Sequence, residues 1–242
     1  MDDLWPIARE CAARWGLSLE APLEDRYSLV IPAGEVVLKV NAEWHFEAER
    51  EADALALWDG RGAVRLLERD DERRAFLIER CRPGTRLWDA GEDDIEVVSG
   101  LLPRLSLEPP VRHPFRTLAD EADRWAEEVP SRYPRSRLLD AAVEVFRSVD
   151  RSACHLVNQD LHGGNVLSAE REPWLVIDPK PLVGEREIDA VGLLRNAEHP
   201  RPWIDALVEL GYDRERLWQW GFAHALAWDN APQAVRIYAA RV

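Results

Sequence analysis

The stretch that most constrains this chain lies between His155 and Lys180. An apolar run, His155-Leu-Val157, opens into the polar loop Asn158-Gln159-Asp160-Leu161-His162-Gly163-Gly164-Asn165 and resumes as Val166-Leu167. A second strand-like run, Trp174-Leu-Val-Ile177, ends on Asp178-Pro179-Lys180. Short apolar runs bounded by Gly, Asn and Asp read as strands joined by loops, and functional side chains concentrate on loops held by a rigid scaffold. One loop thus carries Asp160 and Asn165, and one strand end delivers Asp178.

These are the parts that phosphoryl transfer requires. A carboxylate orients the attacking hydroxyl and accepts its proton, a role that suits Asp160. Hard oxygen ligands hold magnesium against the nucleotide phosphates, a role that suits Asn165 and Asp178. The spacing Asp-Leu-x-x-x-Asn is that of a kinase catalytic loop, and Asp178 stands where a second magnesium-binding Asp is expected. Taken singly, an Asp in a turn most often bonds local backbone. The conjunction of loop, following strand, Asp178 and an upstream strand lysine is what favours the kinase reading.

With these residues in view, the chain resembles the aminoglycoside phosphotransferase-type kinases, most closely the branch of streptomycin 6-phosphotransferases and hydroxyurea phosphotransferases. The resemblance rests on Asp160-Leu-His-Gly-Gly-Asn-Val-Leu167, on Trp174-Leu-Val-Ile-Asp-Pro-Lys-Pro-Leu-Val-Gly184-Glu-Arg-Glu-Ile-Asp189 and on Leu193-Leu-Arg-Asn196. Weaker echoes at residues 58–67 and 77–84 extend it over most of the chain. It implies an α+β, bilobal protein-kinase-like fold: an antiparallel-sheet lobe with one main helix over residues 1–80, binding nucleotide, and a mostly helical catalytic and substrate-binding lobe over 81–242. It further implies ATP and Mg²⁺ as cofactors and a small hydroxylated acceptor, streptomycin-like or hydroxyurea-like. Two departures stand out. The family usually reads His-Gly-Asp where this chain reads Asn158-Gln159-Asp160, and tends to have Gly where this chain has Pro181.

Composition narrows the alternatives. A hydrophobic fraction of 46% with 31% charged residues describes a globular protein. No run approaches the roughly 18 apolar residues of a membrane span, and Met1-Asp-Asp lacks a basic signal head, so cytoplasmic residence is expected. Three widely spaced cysteines suggest neither a disulfide framework nor a zinc site. A formal charge of −14 argues against a general nucleic-acid binder. It is compatible with a cationic substrate, although acidic surfaces also simply aid solubility.

In chain order, the apolar spacing over residues 4–17 predicts an amphipathic helix ended by Gly16. Residues 27–31 and 35–40 predict a hairpin, whose second strand sets Val36, Leu38 and Val40 on one face and Val37 and Lys39 on the other. Lys39 either snorkels from an edge strand or, by resemblance to the kinase Val-Ala-Ile-Lys strand, holds nucleotide phosphates. No Gly-rich phosphate loop is visible, since the hairpin holds only Gly34. Residues 44–58 predict a helix whose Glu51, or one turn earlier Glu47, pairs with Lys39; solvated helix charges are the competing reading for each. Strands are predicted at 63–68 and 75–79, followed by the breaker cluster Cys81-Arg-Pro-Gly84 as a hinge.

On the family pattern, backbone groups of Glu79 and Cys81 hydrogen-bond adenine and leave those side chains unconstrained. Helices are predicted near 95–105, 117–129 and 135–148, then from 185 after a Val183-Gly184 turn, and at 203–210 and 213–228. His162 and Lys180 are candidates for phosphate or substrate contact, and Asp189 for organising the loop or facing substrate. Trp218, Trp220, His224 and Asp229 fall along or near the far cleft wall, or belong to a packed core. Two rival functions share these features: a kinase-like nucleotide or metabolite binder without transfer, and an acidic interaction module that binds no nucleotide.

Overall fold

The computed structural model describes residues 2–92 and 94–239; Met1, Asp93 and residues 240–242 of the two expected lobes lie outside the described residues. Helix α1 (Trp5–Trp15) carries Pro6 in its first turn, where the missing N–H is harmless. It stops at Gly16, whose φ of 66° closes a C-cap onto the Ala12 carbonyl. The strands β1 (Ser28–Ala33) and β2 (Val36–Asn41) form the expected hairpin. After helix α2 (Glu51–Trp58), β3 (Leu66–Asp70) and β4 (Ala75–Glu79) complete an antiparallel sheet ordered β1-β2-β4-β3.

The period-two reading of β2 holds. Leu38 and Val40 join Ala8 and Cys11 of α1 in one buried cluster, whereas Val37 joins Ala52, Leu55 and Trp58 of α2 in the other. Lys39 thus points to the α2 side with Val37. The helix expected over 44–58 is shorter, because a 3₁₀ turn at Phe46–Ala48 precedes α2. The Ala48 carbonyl accepts from Asn41 Nδ2 at 3.1 Å, a contact that pins this turn to the end of β2.

A connector with a cis Arg82–Pro83 bond leads to α3 (Leu87–Ala90), which the sequence reading did not anticipate, then to α4 (Asp94–Leu105). Helices α5 (Leu118–Arg132) and α6 (Arg137–Arg147) start on Thr117 and Ser136, whose hydroxyls accept from backbone N–H groups of the first turn. The central stretch gives β5 (His155–Asn158), β6 (Val166–Ser168), β7 (Trp174–Val176) and β8 (Pro181–Gly184), paired as two small antiparallel units, β5-β8 and β6-β7. The turn expected at Val183-Gly184 is therefore wrong: these residues lie in β8, with Asn158 opposite Pro181. Pro181 begins the strand, a place that tolerates proline.

A 3₁₀ segment, Arg186–Ala190, precedes α7 (Val191–Asn196), α8 (Pro200–Glu209), α9 (Arg214–Ala227) and α10 (Ala231–Ala239). One hydrophobic core runs from the inner face of the sheet through α2 into these helices. Trp58 Nε1 donates to the Leu105 carbonyl at 2.8 Å, Val64 N donates to the Val176 carbonyl at 3.0 Å, and Val176 N donates to the Gly62 carbonyl at 2.9 Å. The sheet and the helical half are thereby joined across the crevice that holds the site. No helix among the described residues is long and apolar enough to cross a membrane.

Candidate active site

The site begins with a buried ammonium. Lys39, 4% exposed, donates from Nζ to Glu51 at 2.8 Å and to Asp178 Oδ1 at 2.6 Å. The snorkelling alternative does not describe it. Burial pulls its pKa down, but Asp178 and then Glu51 outweigh burial and hold it above the ordinary lysine range. Glu51 opens α2 and is 1% exposed; burial raises its carboxyl while Lys39 pulls the other way. Asn41 Nδ2 donates to its second oxygen at 3.1 Å, and Ser28 Oγ donates to Asn41 Oδ1 at 2.8 Å. Glu47 is not the partner of Lys39. It lies in the 3₁₀ turn, raised by burial and drawn chiefly to Lys180 and Arg116.

Asp178 follows β7 with a left-handed φ of 49°. Its Oδ1 accepts from both Lys39 and Lys180, the latter at 3.0 Å. Burial works against its charge, yet Lys39 and then Lys180 hold its carboxyl well below the usual range. Lys180 is itself buried.

Asn158 ties this strand end to the catalytic-type loop. Its Oδ1 accepts from Asp160 N at 3.1 Å and from Lys180 N at 3.0 Å, so one amide oxygen fixes both segments. Its own N–H donates to Asp189 Oδ1 at 2.7 Å. Asp189 accordingly organises the loop from beneath, with burial pushing its carboxyl up to about 7. The departure from His at position 158 leaves the backbone-fixing task performed by Asn.

Asp160 is half-buried and its Oδ1 accepts from Arg195 Nη2 at 2.5 Å. The Arg195 guanidinium lies over the Trp228 ring, 5.1 Å from its centroid. Arg195 was not among the expected site residues, although it stands in the quoted Leu193-Leu-Arg-Asn196 stretch. The Asp160 carbonyl accepts from Asn165 Nδ2 at 3.1 Å, which leaves Asn165 Oδ1 as the amide's acceptor atom. His162 lies 3.8 Å from Asp160, stacks on Trp88 at 4.7 Å and accepts from Gly164 N through Nδ1. Burial lowers its pKa, opposed by Asp160 and Asp178 and reinforced by Arg195 and Lys180. A cavity of about 500 Å³ opens beside His162, lined by Trp88, Glu92, Asp94, Asn196 and Trp203.

Other expectations need adjustment. The Glu79 side chain is not unconstrained: it accepts from Arg171 and from Arg65 N, a salt bridge that fastens β4 to the β6-β7 turn. Glu79 N donates to the Arg65 carbonyl at 3.1 Å. Cys81 is half-buried, with burial pushing its thiol up to about 12. The Gly34 turn lies at the hinge side, its carbonyl accepting from Arg80 and Arg82. Trp218, Trp220 and His224 are buried in the helical core, and Asp229 accepts from the Tyr133 hydroxyl at 2.8 Å.

The donor set suits magnesium. Ile177 N donates to the Asn165 carbonyl at 2.9 Å, which brings Asn165 beside the strand end carrying Asp178. One carboxylate and one amide oxygen are what Mg²⁺ takes from protein when it keeps water and phosphate oxygens as its other ligands. Among the described residues no group of three or more His, Cys, Asp or Glu side chains forms a closed metal cage.

A family profile described as aminoglycoside/hydroxyurea antibiotic resistance kinase matches residues 22–230. A streptomycin 6-kinase from Streptomyces griseus is 36% identical over 92% of this chain and 82% of its own length. A hydroxyurea phosphotransferase from Kitasatospora aureofaciens is 37% identical over 87% of this chain and 68% of its own length. Among solved structures, a choline kinase from Streptococcus pneumoniae superposes with a TM-score of 0.68 at 11% identity, covering 99% of this chain and 97% of that one. The GDP complex of an aminoglycoside 2'-phosphotransferase gives 0.66 at 14% identity, covering 98% and 97%. These superpositions establish the protein-kinase-like fold, and the profile and relatives establish the rest: the chain belongs to the aminoglycoside/hydroxyurea antibiotic resistance kinase family and is a small-molecule kinase.

Proposed function

We propose that this protein transfers the γ-phosphoryl group of ATP, with Mg²⁺, to a hydroxyl of a small molecule of the streptomycin or hydroxyurea kind. The observation that carries this reading is the joining of two clusters by Asn158: Lys39, Glu51, Asp178 and Lys180 on one side, Asp160, Asn165 and Arg195 on the other. Residues 1–80 act as the nucleotide-binding half and 81–242 as the catalytic and acceptor-binding half, with the adenine against backbone groups of Glu79 and Cys81.

Lys39, aimed by Glu51, aligns the phosphates, and Asn165 with Asp178 holds the metal. Bound Mg²⁺ supplies charge neutralisation at the phosphate oxygens. Asp160 orients the acceptor hydroxyl and takes its proton as the oxygen attacks γ-phosphorus, while the bond to the ADP oxygen breaks. Arg195 holds one carboxylate oxygen of Asp160, which leaves the other to take the proton. The cavity beside His162, with Glu92, Asp94 and Trp203 on its wall, suits a cationic, partly flat acceptor.

The rival in which the fold binds nucleotide without transfer finds no support in the family. The test is ADP release with streptomycin, other aminoglycosides, hydroxyurea and small amino alcohols, with the phosphorylated product identified by mass. At least one acceptor is expected to stimulate ADP release. Asp160→Asn is expected to lower kcat by roughly two to four orders of magnitude without weakening nucleotide binding. No stimulation across the panel, or full activity in Asp160→Asn, would overturn the assignment.

A further inference from the structure

Among the described residues the Arg195 guanidinium makes one hydrogen bond, from Nη2 to Asp160 Oδ1 at 2.5 Å. A two-bonded fork fixes the plane of a guanidinium against a carboxylate, whereas one bond leaves both groups able to turn about it. The side chain is 10% exposed, and its buried Nη1 has no hydrogen-bond partner among the described residues. The second constraint on Arg195 is therefore of another kind: its guanidinium carbon lies over the Trp228 ring, 5.1 Å from the centroid.

Trp228 is itself held in place. It caps α9 four residues after His224, so the two side chains share a helix face. Their rings stack at 4.1 Å and 21°, and Trp125 of α5 meets both edge-on, at 5.3 Å from His224 and 6.1 Å from Trp228. The end of α9 is tied to the end of α5: Arg132 Nη1 donates to the Ala227 carbonyl at 2.8 Å, and the Tyr133 hydroxyl to Asp229 Oδ1 at 2.8 Å. His224 is fully buried, and neither ring nitrogen has a hydrogen-bond partner among the described residues. Burial, and then the Arg195 charge, hold it well below the ordinary histidine range. A neutral ring can back the same indole that carries a cation, where a charged one would repel Arg195.

We propose that Trp228 is a positioning residue for the transfer: its ring, backed by His224 and Trp125, sets the plane of the Arg195 guanidinium and through it the orientation of the Asp160 carboxylate. The inference rests on the reading of Asp160 as the group that orients the acceptor hydroxyl. It adds that the aim of this carboxylate is set from the far end of α9, through a planar cation lying over an aromatic ring. The arrangement calls for arginine in particular, since an ammonium offers neither the flat face nor the fixed fork.

The test measures kcat and KM by ADP release from the full chain, with magnesium, ATP and the acceptor of the panel above that stimulates most. Trp228→Met fills much of the space without an aromatic face and is expected to lower kcat by about ten-fold to a hundred-fold, with KM for ATP unchanged. Trp228→Phe keeps a ring and is expected to recover most of that loss. Arg195→Lys keeps the charge without the planar face and is expected to fall as far as Trp228→Met. Joining Arg195→Lys to Trp228→Met should then cost nothing further, because the ring acts only through the guanidinium. Phe146→Leu, which thins the same core behind Trp125, should lower Tm and leave kcat near wild type. Losses that multiply in the double variant, or a kcat loss in Phe146→Leu equal to that in Trp228→Met, would overturn the proposal. Wild-type kcat in Arg195→Lys would overturn it even where Trp228→Met does not fold. Any of these results beside an inactive Asp160→Asn sinks this inference alone. Full activity in Asp160→Asn, or no stimulation by any acceptor, sinks the reading of Asp160 and this inference with it.

Discussion

At the scale of single residues, the site depends on charge placed where water cannot compensate for it. Lys39 and Glu51 are 5% and 1% exposed at their side chains, so neither can lose its partner cheaply. Removing one member of such a pair leaves an uncompensated buried charge, at a cost of about 3–5 kcal/mol, whereas replacing both by apolar residues is often nearly neutral. Lys39→Met is therefore expected to lower unfolding free energy by about that amount in urea titrations, and Lys39→Met with Glu51→Met to recover much of it. Nucleotide binding should stay lost in both. Recovery of binding in the double variant would contradict the role given to Lys39. Lys39, Glu51, Asp160, Asn165 and Asp178 were identifiable as candidates because each stands in a local pattern: a charge in an apolar strand, a carboxylate on a helix stripe, a polar loop between strands. Arg195 was not, since its contact with Asp160 spans 35 residues and leaves no periodic trace.

At the scale of elements, close approach and burial decide what can change. A Cβ on Gly192 of α7 would stand 2.4 Å from the Leu161 carbonyl oxygen, a backbone atom that cannot swing aside. Gly192→Ala is expected to cost about 1–3 kcal/mol by overpacking and to lower kcat more than nucleotide affinity, because the displaced segment is the Asp160 loop. A fully active, fully stable variant would show that α7 does not set that loop. Asp189 offers a pH test. Its carboxyl is raised by burial to about 7, so the folded state holds a proton that the unfolded chain releases near the ordinary carboxylate value of 3.8. Stability from this group is therefore fully present below the unfolded value and is lost as pH rises toward about 7. Asp189→Asn keeps an acceptor for Asn158 N and is expected to flatten that part of the profile of Tm against pH; an unchanged slope would contradict the assignment. The boundaries missed from sequence share one cause. β8 is a strand because β5 lies beside it, and strand preference reflects such partners more than local composition. The helix over 44–58 was misread because a contact from Asn41 reshapes its start, which apolar periodicity does not register.

At the scale of the whole molecule, a continuous core supports a charged crevice. The inner sheet face, α2 and the helical half share one hydrophobic cluster, so the strand carrying Lys39 and the loops carrying Asp160 and Asp178 are held in fixed relation before nucleotide arrives. The α+β fold class was readable through the family resemblance, with which the strand-rich pattern of residues 27–79 and the helical pattern of residues 95–148 agree. The packing that brings residues 39, 51, 160 and 178 together was readable only through family resemblance. The most direct test of that convergence is a calorimetric titration of ATP, with and without magnesium, into wild type and Asp178→Asn. Wild type is expected to bind ATP much more tightly with magnesium than without it, and Asp178→Asn to lose that difference. Equal magnesium-dependent affinity in the two proteins would contradict the account.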